Sequence, residues 1–325
     1  MRYPSLGNNH MPKQSNPKVT ISIPAYNYAH YLPDAIESVL NQSFSDFELL
    51  VIDNCSTDNT REVVEAYIAH DKRVRYICNE SNIGLVGNLN RSLSHARGEY
   101  VKILCADDLL ESTCLEKMVL ILDSNPNVSL VASRRMLVNG ELKPITSVGY
   151  SHREGIFRGV DVINRCLING NLIGEPSAVL FRRNQSSRGF NIEYMQMIDV
   201  EMWFYLLSQG DFAYIPENLC FFRQHEGQGT KDSLKTFAYL PEENRLFDAF
   251  IREPFVDSSF LNRLNWKFRM TMNIWQQRHI CNDPEAVRVN MDKYINHRLF
   301  YLIYLPVMGM KKFVKILRRI SDARA

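Results

Sequence analysis

The chain has 325 residues, 45% of them hydrophobic and 23% charged, with a formal net charge of +2. That length suits one large domain or two modest ones, and the near-neutral balance argues against a nucleic-acid partner, which asks for a strong basic excess or stripe. The 7 cysteines, an odd number with no C-x-x-C pair, argue against a disulfide framework and a thiolate zinc site, and for reduced thiols in the cytosol.

Residues 1–17 are polar and rich in Pro and Asn, and read as a loose tail rather than a signal peptide. No run of about 20 apolar residues follows, so no membrane-spanning helix is expected. From Val19, strand and helix signals alternate. "VTISIP" is β-branched and stops at Pro24. "LPDAIESVLNQS" puts Leu32, Ile36, Val39 and Leu40 on one helical face, with Pro33 in the first turn. "FELLVIDN" is the near-continuous apolar run of a strand buried on both faces. "STDNTREVVEAYIAH" predicts a helix capped by Ser56, Thr57 or Asp58, with Val63, Val64, Tyr67 and Ile68 inward. "VRYICN" is a third strand. "GLVGNLNRSLSHARG" predicts a helix through Leu85, Leu89, Leu93 and Ala96, ended by Gly98. "EYVKILCADD" is a fourth strand.

This rhythm predicts an α/β domain with a mostly parallel sheet. Such sheets bind ligands at the carboxyl ends of their strands. Here those ends carry Tyr26 and Asn27, Asp53 and Asn54, Asn79, and Asp107 and Asp108. Beyond them come a helix and strand between about Leu115 and Ser133, and a strand in "NLIGEPSAVLFRR" after a Gly-Glu-Pro turn. A helix follows in "YMQMIDVEMWFYLLSQG", with Met197, Val200, Phe204 and Leu207 at helical spacing. "FAYIPENLCFFRQHEGQGT" predicts a strand pair and a Gly-rich loop. After Thr230 strand signals fade into helical segments. The expected organisation is a tail (1–17), an α/β domain (18–230) and a C-terminal helical region (231–325).

Asp107 and Asp108 have two readings: a cap for the next helix, or a site for magnesium or manganese, which prefer carboxylate oxygens. Asp53 either recognises a base or ribose or closes a polar turn. Tyr26 either stacks on a base or lies on the surface. Asp199 and Glu201, carboxylates on an otherwise apolar helix, offer a general base or a favourable first turn. Arg223 and His225 stand before the Gly-rich loop, where they could meet phosphate or metal. There is no H-E-x-x-H, no G-x-x-x-x-G-K-[ST], and no G-x-G-x-x-G after the first strand.

Taken in order, "VTISIPAYNYAHYLPDAIESVLNQSFSDFELLVIDNCSTDNT", "NESNIGLVGNLNRSLSHARGEYVKILCADD", "EPSAVLFRR" and "IDVEMWFYLLSQGDFAYIPENLCFFRQH" resemble the family 2 glycosyltransferases of the GT-A fold, bacterial polysaccharide or glycoconjugate type. The resemblance covers roughly Lys18 to Thr230. It implies an inverting, hexosyl-transferring enzyme that uses a divalent metal (Mn2+ or Mg2+), a nucleotide-sugar donor, UDP favoured, and a glycan or lipid-linked glycan acceptor. It implies that Pro24, Ala25, Tyr26, Asn27, Asp53, Asn82, Asp107, Arg223 and His225 bind the donor, that Asp107 and Asp108 hold the metal, and that Asp199 is the catalytic base, with Glu201 in reserve. The chain departs from the pattern at Cys105, Asn54 and Ile198, where many members carry acids. Two other readings remain open at this point: a non-catalytic binding protein that kept the fold, and a sugar-nucleotide pyrophosphorylase, which would want a Gly-rich basic loop where "PAYNYAH" stands.

The C-terminal stretch sets Phe313, Val314, Ile316, Leu317 and Ile320 against Lys311, Lys312, Lys315, Arg318 and Arg319. A membrane-surface helix and a helix packed on its own domain fit equally. The expected location is cytoplasmic, with peripheral membrane contact as the alternative that segment offers.

Overall fold

The computed structural model describes residues 16–225, 229–281 and 283–302. Most of the expected tail, the core of the Gly-rich loop and the basic segment around Lys311–Ile320 lie outside the described residues.

The first half builds as its pattern predicts. Strand β1 (Val19–Ala25) and strand β2 (Phe47–Asp53) are buried almost throughout and pair in parallel. Helix α1 (Leu32–Leu40) turns Leu32, Ala35, Ile36 and Val39 inward, with Pro33 in its first turn. Helix α2 (Thr60–Ile68) buries Thr60 and Val64, while Ile68 at its last turn is exposed. The Asp58 carboxylate accepts from both the backbone and the hydroxyl of Thr60, just inside that helix. Strand β3 (Val74–Cys78), helix α3 (Gly84–His95) and strand β4 (Tyr100–Ile103) complete the parallel half.

Two expectations for α3 fail for physical reasons. Leu85 is exposed, because the first turn sits out at the strand-end rim and the helix buries Asn88, Leu89 and Ser92 instead. Gly98 is not a left-handed cap. It lets the chain press on β1, where a Cβ would come within 2.4 Å of the Thr20 nitrogen.

The second half extends the sheet. It comprises β5 (Leu109–Leu110), α4 (Cys114–Ser124), β6 (Val128–Asn139), β7 (Pro144–Val148), β8 (Gly155–Phe157), α5 (Gly159–Asn169), β9 (Val179–Arg182), α6 (Ile198–Leu207) and β10 (Asp211–Gln224). The strand order is β3-β2-β1-β4-β9-β6-β10-β5, with β7 on β6 and β8 on β10. β9 enters antiparallel to both β4 and β6, yet the parallel ladders carry most of the paired residues. The expected strand pair at Phe212–Gln224 is one long strand. Its register on β6 shifts around Ile215–Cys220, where Pro216 lacks an N–H to give the ladder, and pairing then resumes with the same partner.

One core lies between the sheet and α1 and α4. The other lies under α3, α5 and α6 and continues without a break into α7 (Gly229–Thr236), α8 (Leu240–Phe250), α9 (Phe260–Gln276) and α10 (Pro284–Asp292). Phe247 stacks on Trp266 at 3.8 Å, joining α8 to α9. Among the described residues no helix is long and apolar enough to cross a membrane.

Candidate active site

The carboxyl ends of β1, β2 and β3 form a rim held by side-chain amides. Pro24 and Ala25 end β1 opposite Ile52 and Asp53. Asn27 takes a left-handed φ of 58°, which asparagine tolerates. Its Oδ1 accepts from the Thr57 N–H at 2.8 Å, and its own N–H donates to Ser56 Oγ at 2.9 Å. The Tyr26 ring, 43% exposed, stands open beside it. Asp53 is buried and accepts from the Ser56 N–H at 2.9 Å and the Tyr76 hydroxyl at 2.5 Å. Burial and then that bond hold the Tyr76 phenol well above its ordinary range. Asn54 Oδ1 accepts from Asn79 Nδ2 and the Ile83 N–H, while its Nδ2 donates to Asn82 Oδ1 at 2.8 Å. Asn82 Oδ1 also accepts from the Gly84 N–H, which fixes the start of α3.

Asp107 and Asp108 follow β4. Their carboxylate oxygens and the Cys105 sulfur all lie within 4.8 Å of one another. Asp108 is fully buried; it accepts from Ser177 Oγ at 2.6 Å and from the Arg223 backbone N–H at 3.0 Å. Burial first, and the Asp107 charge second, push its carboxyl well above the usual range. Asp107 Oδ2 lies 2.9 Å from His225 Nε2. The capping reading of the pair fails, because Asp108 spends its oxygens on β10 and the turn before β9 rather than on a helix start. The donor set fits a divalent cation: like charges crowd together in a buried place, and oxygen ligands suit magnesium or manganese.

Arg223 and His225 come from the end of β10, and an aromatic wall meets them. The Arg223 guanidinium lies 4.7 Å from the Tyr31 ring centroid and donates to Asp34 Oδ2 at 2.6 Å. The His225 ring is 4.9 Å from Tyr31 and 5.9 Å from Tyr28. The sequence reading missed Tyr28, Tyr31, Asp34 and Ser177. Only "YNYAHYLPD", a dense aromatic run leading into a helix, hinted at the first three.

Asp199 sits in the first turn of α6 and is half-buried. Oδ1 accepts from the Val200 N–H at 2.8 Å and Oδ2 from Asn171 Nδ2 at 3.3 Å. Burial raises its carboxyl to about 7; the Glu175 charge adds to the rise and Arg135 opposes it. Glu201 is not brought to this cluster. Residues two apart on a helix face different ways, and Glu201 is buried in a two-pronged ion pair with Arg188, both bonds 2.8 Å.

The model for glycosyl transferase family 2 matches residues 20–183. The chain is similar to an uncharacterized glycosyltransferase of Haemophilus influenzae, 24% identical over 320 residues, 93% of this chain and 96% of that protein. It is similar to the chondroitin synthase of Pasteurella multocida, 29% identical over 215 residues, 66% of this chain and 21% of that protein. Its fold is like that of S. aureus TarS 1–349, solved with UDP-GlcNAc: TM-score 0.57, 16% identity, 85% of this chain and 89% of that one.

Proposed function

The chain belongs to glycosyl transferase family 2, and from that premise we propose that it moves a sugar from a nucleotide-sugar donor to a hydroxyl acceptor by a single inverting displacement. The observation that carries the reading is Asp199. It is a half-buried carboxylate that accepts from the Asn171 amide and the Val200 N–H and has no ion-pair partner among the described residues, with its pKa raised to about 7. A general base works best with a pKa near the operating pH. Asp199 takes the acceptor hydroxyl proton as that oxygen attacks the anomeric carbon. The bond to the diphosphate breaks on the opposite face, and the configuration inverts.

In this reading Asp107 and Asp108 would hold a divalent cation. Such a cation would supply Lewis-acid stabilisation of the charge on the diphosphate leaving group. Asp53, Asn27 and Asn82 line the nucleoside end, with Tyr26 beside them and Pro24 and Ala25 as floor. Arg223 and His225 face the diphosphate end. A likeness to a polysaccharide synthase supports an acceptor in a surface polysaccharide or glycoconjugate. The UDP-GlcNAc bound by TarS makes a UDP-sugar the first donor to try.

The test is donor hydrolysis and nucleotide titration calorimetry with UDP, GDP and dTDP compounds, with and without manganese. Metal-dependent binding of one nucleotide, with slow hydrolysis of its sugar lost in Asp199→Asn, supports the reading. A folded protein that binds none of them in either condition refutes it.

A further inference from the structure

The loop between α5 and β9 ends in Asn171–Glu175, "NLIGE". α6 grips it with residues one turn apart. Asp199 receives the Asn171 amide, and buried Trp203 donates Nε1 to the Gly174 carbonyl at 3.0 Å. Residues four apart share a helix face, so one stripe of α6 holds the loop at two points. Inside the loop, the Gly174 N–H donates to Asn171 Oδ1 at 3.0 Å.

Gly174 has a φ of +124°, and a Cβ there would lie 3.0 Å from Arg135 Nη1. The loop therefore rests directly on the Arg135 guanidinium. Glu175, the next residue, forms an ion pair with that same group. The Arg135 side chain is only 8% exposed, and its buried Nη1 has no hydrogen-bond partner among the described residues. Burying a guanidinium that incompletely is costly. Its ion pair and its close packing are both with the loop that also holds Asp199.

We propose that Arg135 and Glu175 are a positioning pair for Asp199: together they seat the Asn171–Glu175 loop on α6 and set the electric field at the Asp199 carboxylate. The inference rests on Asp199 serving as the base. Arg135 favours the ionised carboxylate and Glu175 disfavours it, so the two charges oppose each other there. Of the other charged groups of the packed elements, Glu242 of α8 accepts from the Met195, Gln196 and Met197 N–H groups just ahead of α6 and is left unchanged in every variant, and three more are engaged elsewhere. Glu201, on α6 itself, is held by Arg188. Arg165, on α5, lies 4.4 Å over the Tyr150 ring. On β6, Arg134 turns to the Ser151 carbonyl.

The experiment is carbon-13 NMR titration of the full chain labelled at aspartate carboxyls, with Asp199 assigned by its loss in Asp199→Asn. Opposite charges at close range shift a carboxyl by about one pH unit or more. Arg135→Met should move the Asp199 midpoint up by about one unit and Glu175→Gln down by about one unit. The double variant should return close to the wild-type midpoint. A merely structural pair would move none of them. Where Arg135→Met does not fold, having stranded Glu175, Glu175→Gln and the double variant carry the test. Wild-type midpoints in the variants, or single-variant shifts of the same sign, overturn the proposal. The titration uses no substrate, so its failure is distinct from a failure of the transferase reading, which donor hydrolysis reports.

Discussion

The two parts of the candidate site are built on opposite electrostatic plans. At the rim of β1 to β3, most polar groups are matched to one another: Asp53 is bonded by a phenol and an N–H, and Asn54, Asn79, Asn82 and Asn88 form an amide lattice. At the ends of β4 and α6, carboxylates accumulate with incomplete compensation, so that Asp108 and Asp199 both bind protons more tightly than usual. The first region is a finished mould, suited to recognising a ligand that brings little charge. The second has electrostatic strain that a cation or a proton from a substrate relieves. Reaction chemistry belongs where such strain is stored.

The sharpest way to break this contrast is Asp199→Asn. Turnover should fall about 10³-fold, the scale of a lost general base, while nucleotide affinity holds. Wild-type turnover should rise with pH through about 7 as the carboxyl ionises. Stability should move the other way. The folded carboxyl is raised from an ordinary 3.8 to about 7, so its contribution is fully present below about 4 and is lost as pH rises through 7. Asparagine removes that loss. The variant should therefore be more stable than wild type at pH 8, by about 1–2 kcal/mol after discounting for the half-buried position, and lose the advantage towards pH 4. Thermal melts across that range check it. A destabilised variant at pH 8 would mean that Asp199 is compensated after all.

Next in size is Asp108→Asn. The amide keeps the shape and one acceptor but drops the charge. The manganese-dependent part of nucleotide affinity should fall about 30-fold, roughly 2 kcal/mol. Affinity measured without metal should stay or improve, since a buried like charge is gone. Equal loss in both conditions would place Asp108 in the mould rather than the strained end.

The sequence makes these two regions unequally legible, and the reason is range. The buried runs of β1 and β2, and the acids and amides ending them, are local signals that each strand carries within itself. "DD" after "KILCA" was likewise visible. The α6 side is assembled from afar. Arg223 meets Asp34 across 189 residues, and Asp108 takes its bond from Ser177 across 69. Arg135 lies just past the strand read to about Ser133 and carries no signal of its own; only the fold lays Gly174 against it. The continuity of β10 was hidden for a related reason. Pro216 looks like a terminator locally, but the partner strand β6 runs on past it.

Asn54→Ala tests the mould from the other side. It takes one of the two acceptors of the Asn79 amide and strands the Ile83 N–H, so about 1–3 kcal/mol of stability should go. Nucleotide affinity should weaken alike with and without manganese, because the lattice shapes the pocket and carries no net charge. A loss seen only with manganese would tie the two regions together.

The smallest effect is expected at Glu201→Gln, and it decides the most about α6. Glu201 is the alternative acid on that helix, two residues from Asp199, and it looks as able in sequence. Its geometry differs in kind: two bonds of 2.8 Å to Arg188 already neutralise it, on a face turned from Asn171. Glutamine keeps one of the two acceptors, and Arg188, partly exposed, recovers water. The cost should be about 1 kcal/mol of stability, and turnover should stay within about twofold of wild type. Turnover that collapsed as far as in Asp199→Asn would move the base to Glu201, and would require the Arg188 pair to open during the reaction.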